Sequence, residues 1–191
     1  MGVLIGPNTL YYVIVRPKGK LREGFDFSDE KVRKPALLRP EMGERGTGDM
    51  ATTVIAITNQ KGGVGKTTTA AALLTGLHRR GAAVLGVDMD PQGSLGFSLG
   101  LDIEHCTTIY DVFRGQAEPE QAIVRTDTCD ILPSNILLSG AELEFNRPGR
   151  EFLLKTALSK VEDQYDYIII DTPPALSLLT VNAYEIGRAH V

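Results

Sequence analysis

Between residues 50 and 184 the chain alternates short, β-branched apolar runs with longer segments of helical spacing. Thr53-Val-Ile-Ala-Ile-Thr58 is apolar at consecutive positions rather than alternate ones, which predicts a strand covered on both faces. Residues 70–80 carry alanines and leucines and close on Gly81, the pattern of a helix with a glycine stop. Ala83-Val-Leu-Gly-Val87 predicts a second buried strand, Cys129-Asp-Ile-Leu132 a third and Tyr167-Ile-Ile-Ile170 a fourth. Phe152, Leu153, Ala157 and Val161 fall at helical spacing, so residues 150–162 are expected to form an amphipathic helix. Ser139-Gly-Ala-Glu142 reads as a helix start with a capping box. Phe113 and Phe145 are expected in the core. Strands separated by helices imply an α/β fold, with a mainly parallel sheet flanked by helices and right-handed crossovers.

The flanks break this pattern. Residues 1–49 mix Pro, Gly and both charges, with one plausible short strand at residues 10–15 and no sustained helical period. Met50 stands just ahead of the first patterned strand, so residues 1–49 are expected to be a disordered leader or upstream translation. The ending Ile186-Gly-Arg-Ala-His-Val191 matches one reading frame of a widely used adapter oligonucleotide, so residues 185–191 are expected to be a non-native tail.

Composition narrows the class. The 42% hydrophobic and 23% charged residues are those of an ordinary globular domain. No apolar run approaches the ~18 residues that span a bilayer, and the start lacks the basic and apolar regions of a secretory signal. A cytoplasmic protein with no membrane attachment is expected. Cys106 and Cys129 have no metal-binding spacing and are expected to be reduced thiols, while His78, His105 and His190 form no cluster. The net charge of −4 is unevenly spread. Residues 1–49 hold nine Lys/Arg against seven Asp/Glu, and residues 50–191 hold eleven against seventeen, too acidic for a broad nucleic-acid footprint.

Three motifs carry chemistry. Asn59-Gln-Lys-Gly-Gly-Val-Gly-Lys-Thr-Thr-Thr69 follows a predicted strand and opens a predicted helix, the setting a phosphate loop needs. Gly62, Gly63, Val64 and Gly65 let successive backbone N–H groups converge on phosphate oxygens, and the helix start carrying Thr67 and Thr68 adds its unpaired donors. Lys66 can reach the terminal phosphates and the Thr67 hydroxyl can ligate Mg²⁺. Val87-Asp-Met-Asp-Pro-Gln-Gly93 puts Asp88 and Asp90 at the carboxyl end of a strand, where open α/β sheets bind ligands. Residues two apart face opposite sides of a strict strand, so a bend is required before both can serve one site. Tyr167-Ile-Ile-Ile-Asp-Thr-Pro-Pro174 ends a buried strand in Asp171, the Walker B arrangement.

The first motif departs from the ordinary GxxxxGK[ST] pattern, because the position six residues before Lys66 is Gln60 rather than glycine. Lys61-Gly-Gly-Val-Gly-Lys-Thr67 resembles the deviant Walker A of a group that includes ParA, MinD and the nitrogenase iron protein. Asp90-Pro-Gln-Gly93 resembles the ParA/Soj family of DNA-partitioning ATPases within that group. The resemblance implies a P-loop NTPase fold that binds ATP with Mg²⁺, dimerises on ATP and hydrolyses it slowly. It implies that Lys61 acts across the dimer, Asp90 orients the attacking water, Asp88 supports the Mg²⁺ shell, and Asp171 holds Mg²⁺ through water. Thr172-Pro173-Pro174 would form the turn that senses the terminal phosphate, and Ile131-Leu-Pro-Ser134 resembles the family's strand-to-turn segment. A ParB-like partner and non-specific DNA are the implied partners, DNA through basic helices in a C-terminal part that this chain lacks. A chain ending there is expected to leave open sheet edges and to be aggregation-prone or marginally folded. The alternatives are a MinD-like cell-division regulator at the membrane, an iron–sulfur or cluster-assembly ATPase, and an inactive fragment.

Overall fold

The computed structural model describes the backbone of residues 12–17 and residues 52–187. The remaining expectations for residues 1–49, that of Met50 as a start, and those for residues 188–191 lie outside the described residues. The strands are β1 (Tyr12–Pro17), β2 (Thr53–Thr58), β3 (Val84–Asp88), β4 (Val124–Arg125), β5 (Asp130–Leu132) and β6 (Tyr167–Asp171). The α-helices are α1 (Lys66–His78), α2 (Ser94–Ser98), α3 (Ile109–Phe113), α4 (Pro119–Ala122), α5 (Ala141–Glu144), α6 (Leu153–Leu158) and α7 (Leu178–Gly187).

Among the described residues these strands form a six-stranded sheet in the order β1-β2-β6-β3-β5-β4. The four inner strands run parallel, as the alternation of strand and helix requires, and β1 and β4 are antiparallel at the two edges. β1 lies along the outer edge of β2, so the short strand expected near residues 10–15 is present two residues further on. Both faces of the inner strands are buried. Val54, Ala56, Leu85, Val87, Ile168 and Ile170 join one core with α3, α6 and α7, whereas Ile57, Val84, Ile131 and Ile169 join a second core with Ala70 and Leu74 of α1. Consecutive apolar positions in the strands are explained by these two layers. Gly86 sits on the second face, where a Cβ would lie 2.7 Å from Leu74 and 2.6 Å from Ile131. Its missing side chain lets α1 lie close to β3, which sets the helix against the sheet and aims its first turn at the strand ends.

Two local expectations are corrected. The segment 150–162 does not form one helix: a 3₁₀ turn at Arg150–Phe152 precedes α6, which stops at Leu158. The turn rotates the apolar stripe, so Leu154 is buried while Phe152 is 40% exposed. Asn182 of α7 holds this junction, accepting from the Leu154 N–H and donating to the Arg150 carbonyl. Ser139 does not start the helix, since Gly140 is the cap of α5; its hydroxyl donates to the Ile136 carbonyl inside a 3₁₀ turn, Ile136–Gly140, that Asn135 caps through the Leu137 N–H. A 3₁₀ turn closes at i+3 spacing and displaces the helix start that the sequence pattern pointed to. Phe113 and Phe145 are both buried, edge to face at 6.0 Å. α7 continues through Glu185, and Ile186 is buried in the first core. No helix among the described residues is long and apolar enough to cross a membrane.

Candidate functional site

β2 stops at Thr58, and the chain turns through Asn59–Gly65 into the first turn of α1. Asn59 starts the turn by accepting the Lys61 N–H on Oδ1 at 2.8 Å. Gly63 and Gly65 have φ of 69° and 89°, in the left-handed region that side-chain-bearing residues rarely adopt. Gly65 then occupies the helix cap with no side chain over the first amides, and no acidic residue lies in the first turn. The positive end of α1 is therefore open to an anion. Lys66 is buried, and its Nζ donates to the Lys61 carbonyl at a long 3.4 Å, which places the ammonium inside the loop. Lys61 itself is exposed, as are Gly62, Gly63 and Thr68, while Val64, Gly65 and Thr67 are half-buried.

The carboxylates come from the neighbouring strand ends. Asp88 and Asp171 are register partners on adjacent parallel strands, so their side chains share a face, and both are fully buried. Thr67 Oγ1 donates to Asp171 Oδ2 at 2.6 Å, tying α1 to the end of β6. Asp171 Oδ1 is buried and makes no hydrogen bond. A buried carboxylate oxygen beside a threonine hydroxyl is costly to leave unpaired and suits a hard cation. Asp88 differs: Oδ1 accepts the Asp90 N–H at 3.0 Å and Oδ2 accepts the Leu95 and Gly96 N–H groups at 2.9 and 3.4 Å. Its carboxylate organises the loop after β3 and the start of α2 from behind the site.

The bend that the residue spacing demanded is present. The Met89 N–H is still bonded to the Asp171 carbonyl, and a turn from Asp90 to Gly93 follows, closed by the Gly93 N–H on the Asp90 carbonyl at 2.9 Å. Asp90 is thereby carried round to Asp171, near enough for its charge to act on that carboxyl. The Thr172 hydroxyl donates to the Ile57 carbonyl at 2.9 Å and pins the turn after β6 to the phosphate-loop strand, with Pro174 3.9 Å from where a Cβ on Gly62 would lie. Lys66, Thr67, Asp90, Asp171 and Thr172 are thus gathered at one edge, with Asp88 behind them. Sequence reasoning missed two contacts: the Thr172 pin, whose partner is a backbone carbonyl 115 residues away, and the bond of the Ser134 hydroxyl to the Asp90 carbonyl 44 residues away. A surface hollow lined by Glu104, His105, Cys106 and Asp111 shares none of these residues.

Burial pushes the Asp88 carboxyl up to about 7, with the Asp171 charge adding to it and three backbone N–H groups opposing. Burial likewise pushes Asp171 up to about 6; the Asp90 charge adds, while the Thr67 hydrogen bond, the Lys66 charge and the Thr172 N–H hold it back. Both folded-state values lie above the unfolded one, so the native state holds protons that the unfolded chain has lost. Stability in the absence of a bound cation should therefore fall as pH rises from about 4 to about 7, then level off. Asp171→Asn removes one of the two buried charges and should raise the melting temperature above pH 7 by several degrees, since about 1 kcal/mol moves a domain of this size by ~2–4 °C. A melting curve against pH that is the same in the variant and the parent would contradict this.

A family model described as an AAA domain matches residues 52–188. The sporulation initiation inhibitor protein Soj of Bacillus subtilis is 48% identical over 136 residues, which cover 68% of this chain and 53% of Soj. The chromosome partitioning protein ParA of Caulobacter vibrioides is 45% identical over 142 residues, covering 71% of this chain and 53% of ParA. A solved structure of cobyrinic acid a,c-diamide synthase from Mycobacterium smegmatis, with bound ATP analog and magnesium, is 48% identical and superposes with a TM-score of 0.68 over 70% of this chain and 54% of that one. The chain spans about half the length of the curated relatives it matches.

Proposed function

The chain belongs to the AAA-domain family whose model spans its site, with Soj and ParA among its relatives, and on that premise we propose that it is the nucleotide-binding half of a ParA/Soj-like ATPase that acts in chromosome or plasmid partitioning. The observation that carries this reading is the unpaired Asp171 Oδ1 beside Thr67 Oγ1, at the foot of an open glycine loop that holds a buried lysine.

In this reading the amides of Gly62, Gly63, Val64 and Gly65, with those of Lys66, Thr67 and Thr68, take the phosphates of ATP, and the Lys66 ammonium exchanges the Lys61 carbonyl for a phosphate oxygen. Thr67 and Asp171 hold magnesium, and Asp88 supports that shell by its charge, its oxygens being engaged with backbone N–H groups. Bound magnesium would offset the charge that develops on the transferred phosphate. Asp90 orients the attacking water. Exposed Lys61 reaches the nucleotide of a second copy, adding a cation where charge develops, as an arginine finger does. The intact protein would work in the cytoplasm, dimerise on ATP, bind DNA non-specifically through its C-terminal part, and release it on hydrolysis stimulated by a ParB-like partner. The acidic balance of residues 50–191 agrees with a DNA face outside this half.

The test is equilibrium binding of a fluorescent ATP analogue, with magnesium and with chelator. Magnesium should tighten binding by at least about tenfold, the weight of one charge-assisted contact. Binding that ignores magnesium would remove Thr67 and Asp171 from the site, and no binding at all would remove the ATPase reading.

A further inference from the structure

We infer that Ser134 is a positioning residue for Asp90, holding the backbone of the water-orienting aspartate from the neighbouring strand end. The inference rests on the role proposed above for Asp90 and adds a group that none of the three sequence motifs contains.

Ser134 lies two residues beyond β5, is fully buried, and donates its hydroxyl to the Asp90 carbonyl. That carbonyl already accepts the Gly93 N–H within the turn. The Gly93 N–H already satisfies the carbonyl, so on the Asp90 side the effect of the second bond is to fix where the peptide sits, while it also satisfies the buried Ser134 hydroxyl. On the other side, the Asp90 N–H is held by Asp88 Oδ1. The turn is also pressed against the Ser134 segment, since a Cβ on Gly93 would fall 2.9 Å from the Ser134 carbonyl oxygen, and Gly93 has a φ of 64°. The segment is itself anchored, because the Ile109 N–H of α3 donates to the Pro133 carbonyl at 2.9 Å. Asp90 is thus clamped at both its peptide groups, by one residue of its own strand and one of the next. A carboxylate that must align a water with a phosphate gains from this, because rate falls steeply when a catalytic group is misplaced by even about 1 Å.

The test compares Ser134→Ala with Asn135→Ala in the full chain. Asn135 caps the adjoining 3₁₀ turn through the Leu137 N–H at 3.1 Å and makes no described hydrogen bond to Asp90, so it reports the effect of loosening the same loop. Single-turnover ATP hydrolysis should fall about tenfold in Ser134→Ala, with Mg·ATP affinity within about twofold of the parent, and should stay near the parent rate in Asn135→Ala. Parent-like hydrolysis in Ser134→Ala overturns the inference, and so does an equal fall in both variants. A parent chain that binds no ATP overturns the proposed function instead, and with it this role. If Ser134→Ala loses its cooperative melting transition, Ser134→Cys, close in size but a weak donor, should fold and show the same fall. A parent-like rate in that variant overturns the inference as well.

Discussion

Lys66→Ala is expected to lower ATP affinity by about a hundredfold or more while leaving the melting temperature close to that of the parent chain, since charge-assisted contacts are worth about 1.5–3 kcal/mol each and one ammonium serves more than one phosphate oxygen. The asymmetry follows from what the ammonium does in the folded chain. Its one described hydrogen bond is the long 3.4 Å contact with the Lys61 carbonyl, so the fold loses little hydrogen bonding when it goes, and the charge it sets against Asp171 is the larger part of what the folded chain gives up. A bound triphosphate loses far more. The loop amides and the start of α1 remain, but they are dipoles, and the carboxylates of Asp171, Asp88 and Asp90 stand at the neighbouring strand ends. Without Lys66 the phosphates would face three acidic groups with only the loop to offset them. Lys66 also holds down the Asp171 pKa, so its removal weakens the cation site from a second direction. Paired titrations of parent and variant, with magnesium present throughout, decide the matter. Equal affinity would mean that the nucleotide does not sit in this loop.

Why the phosphate loop was legible while its supports were not comes down to range. Gly63, Gly65, Lys66 and Thr67 lie in one short stretch, and their chemistry depends on backbone conformation and on a helix start, both encoded within a dozen residues. The central strands were legible for the same reason: burial on both faces writes an unbroken apolar run into Thr53–Thr58 and Tyr167–Asp171. The bend after β3 followed from alternation alone, because Asp88 and Asp90 could not otherwise share a site. Three things were not local. The pairing of Asp88 with Asp171 depends on β6 inserting between β2 and β3, a sheet order that no pattern within either strand specifies. The bonds of Thr172 to Ile57 and Ser134 to Asp90 join side chains to backbone carbonyls 115 and 44 residues away, and a carbonyl carries no sequence identity. The failure at residues 150–162 was of another kind. Helical spacing constrains which residues share a face only once a helix has begun, and the 3₁₀ turn ahead of α6 shifted that origin.

Asp90→Ala is expected to separate binding from turnover, leaving Mg·ATP affinity within about twofold while slowing hydrolysis by about a hundredfold, the lower end of what a positioned acid–base group contributes. The structure makes this substitution unusually clean. The turn that carries Asp90 is held by its backbone, through the N–H on Asp88 and the carbonyl on Gly93 and Ser134, and alanine keeps all of these. What goes is the carboxylate, together with its bond from the Gln92 N–H at 3.0 Å. Loss of the Asp90 charge removes one of the influences that raise the Asp171 pKa, which keeps Asp171 ionised and offsets the loss of a negative charge near the cation, so nucleotide binding should change little. A general weakening of the site would lower both quantities together, as Lys66→Ala does. Hydrolysis at the parent rate would show that another group orients the water, whereas a matching loss of affinity would place Asp90 among the groups that hold the nucleotide. Only a fall in turnover at constant affinity assigns the carboxylate to the attack itself.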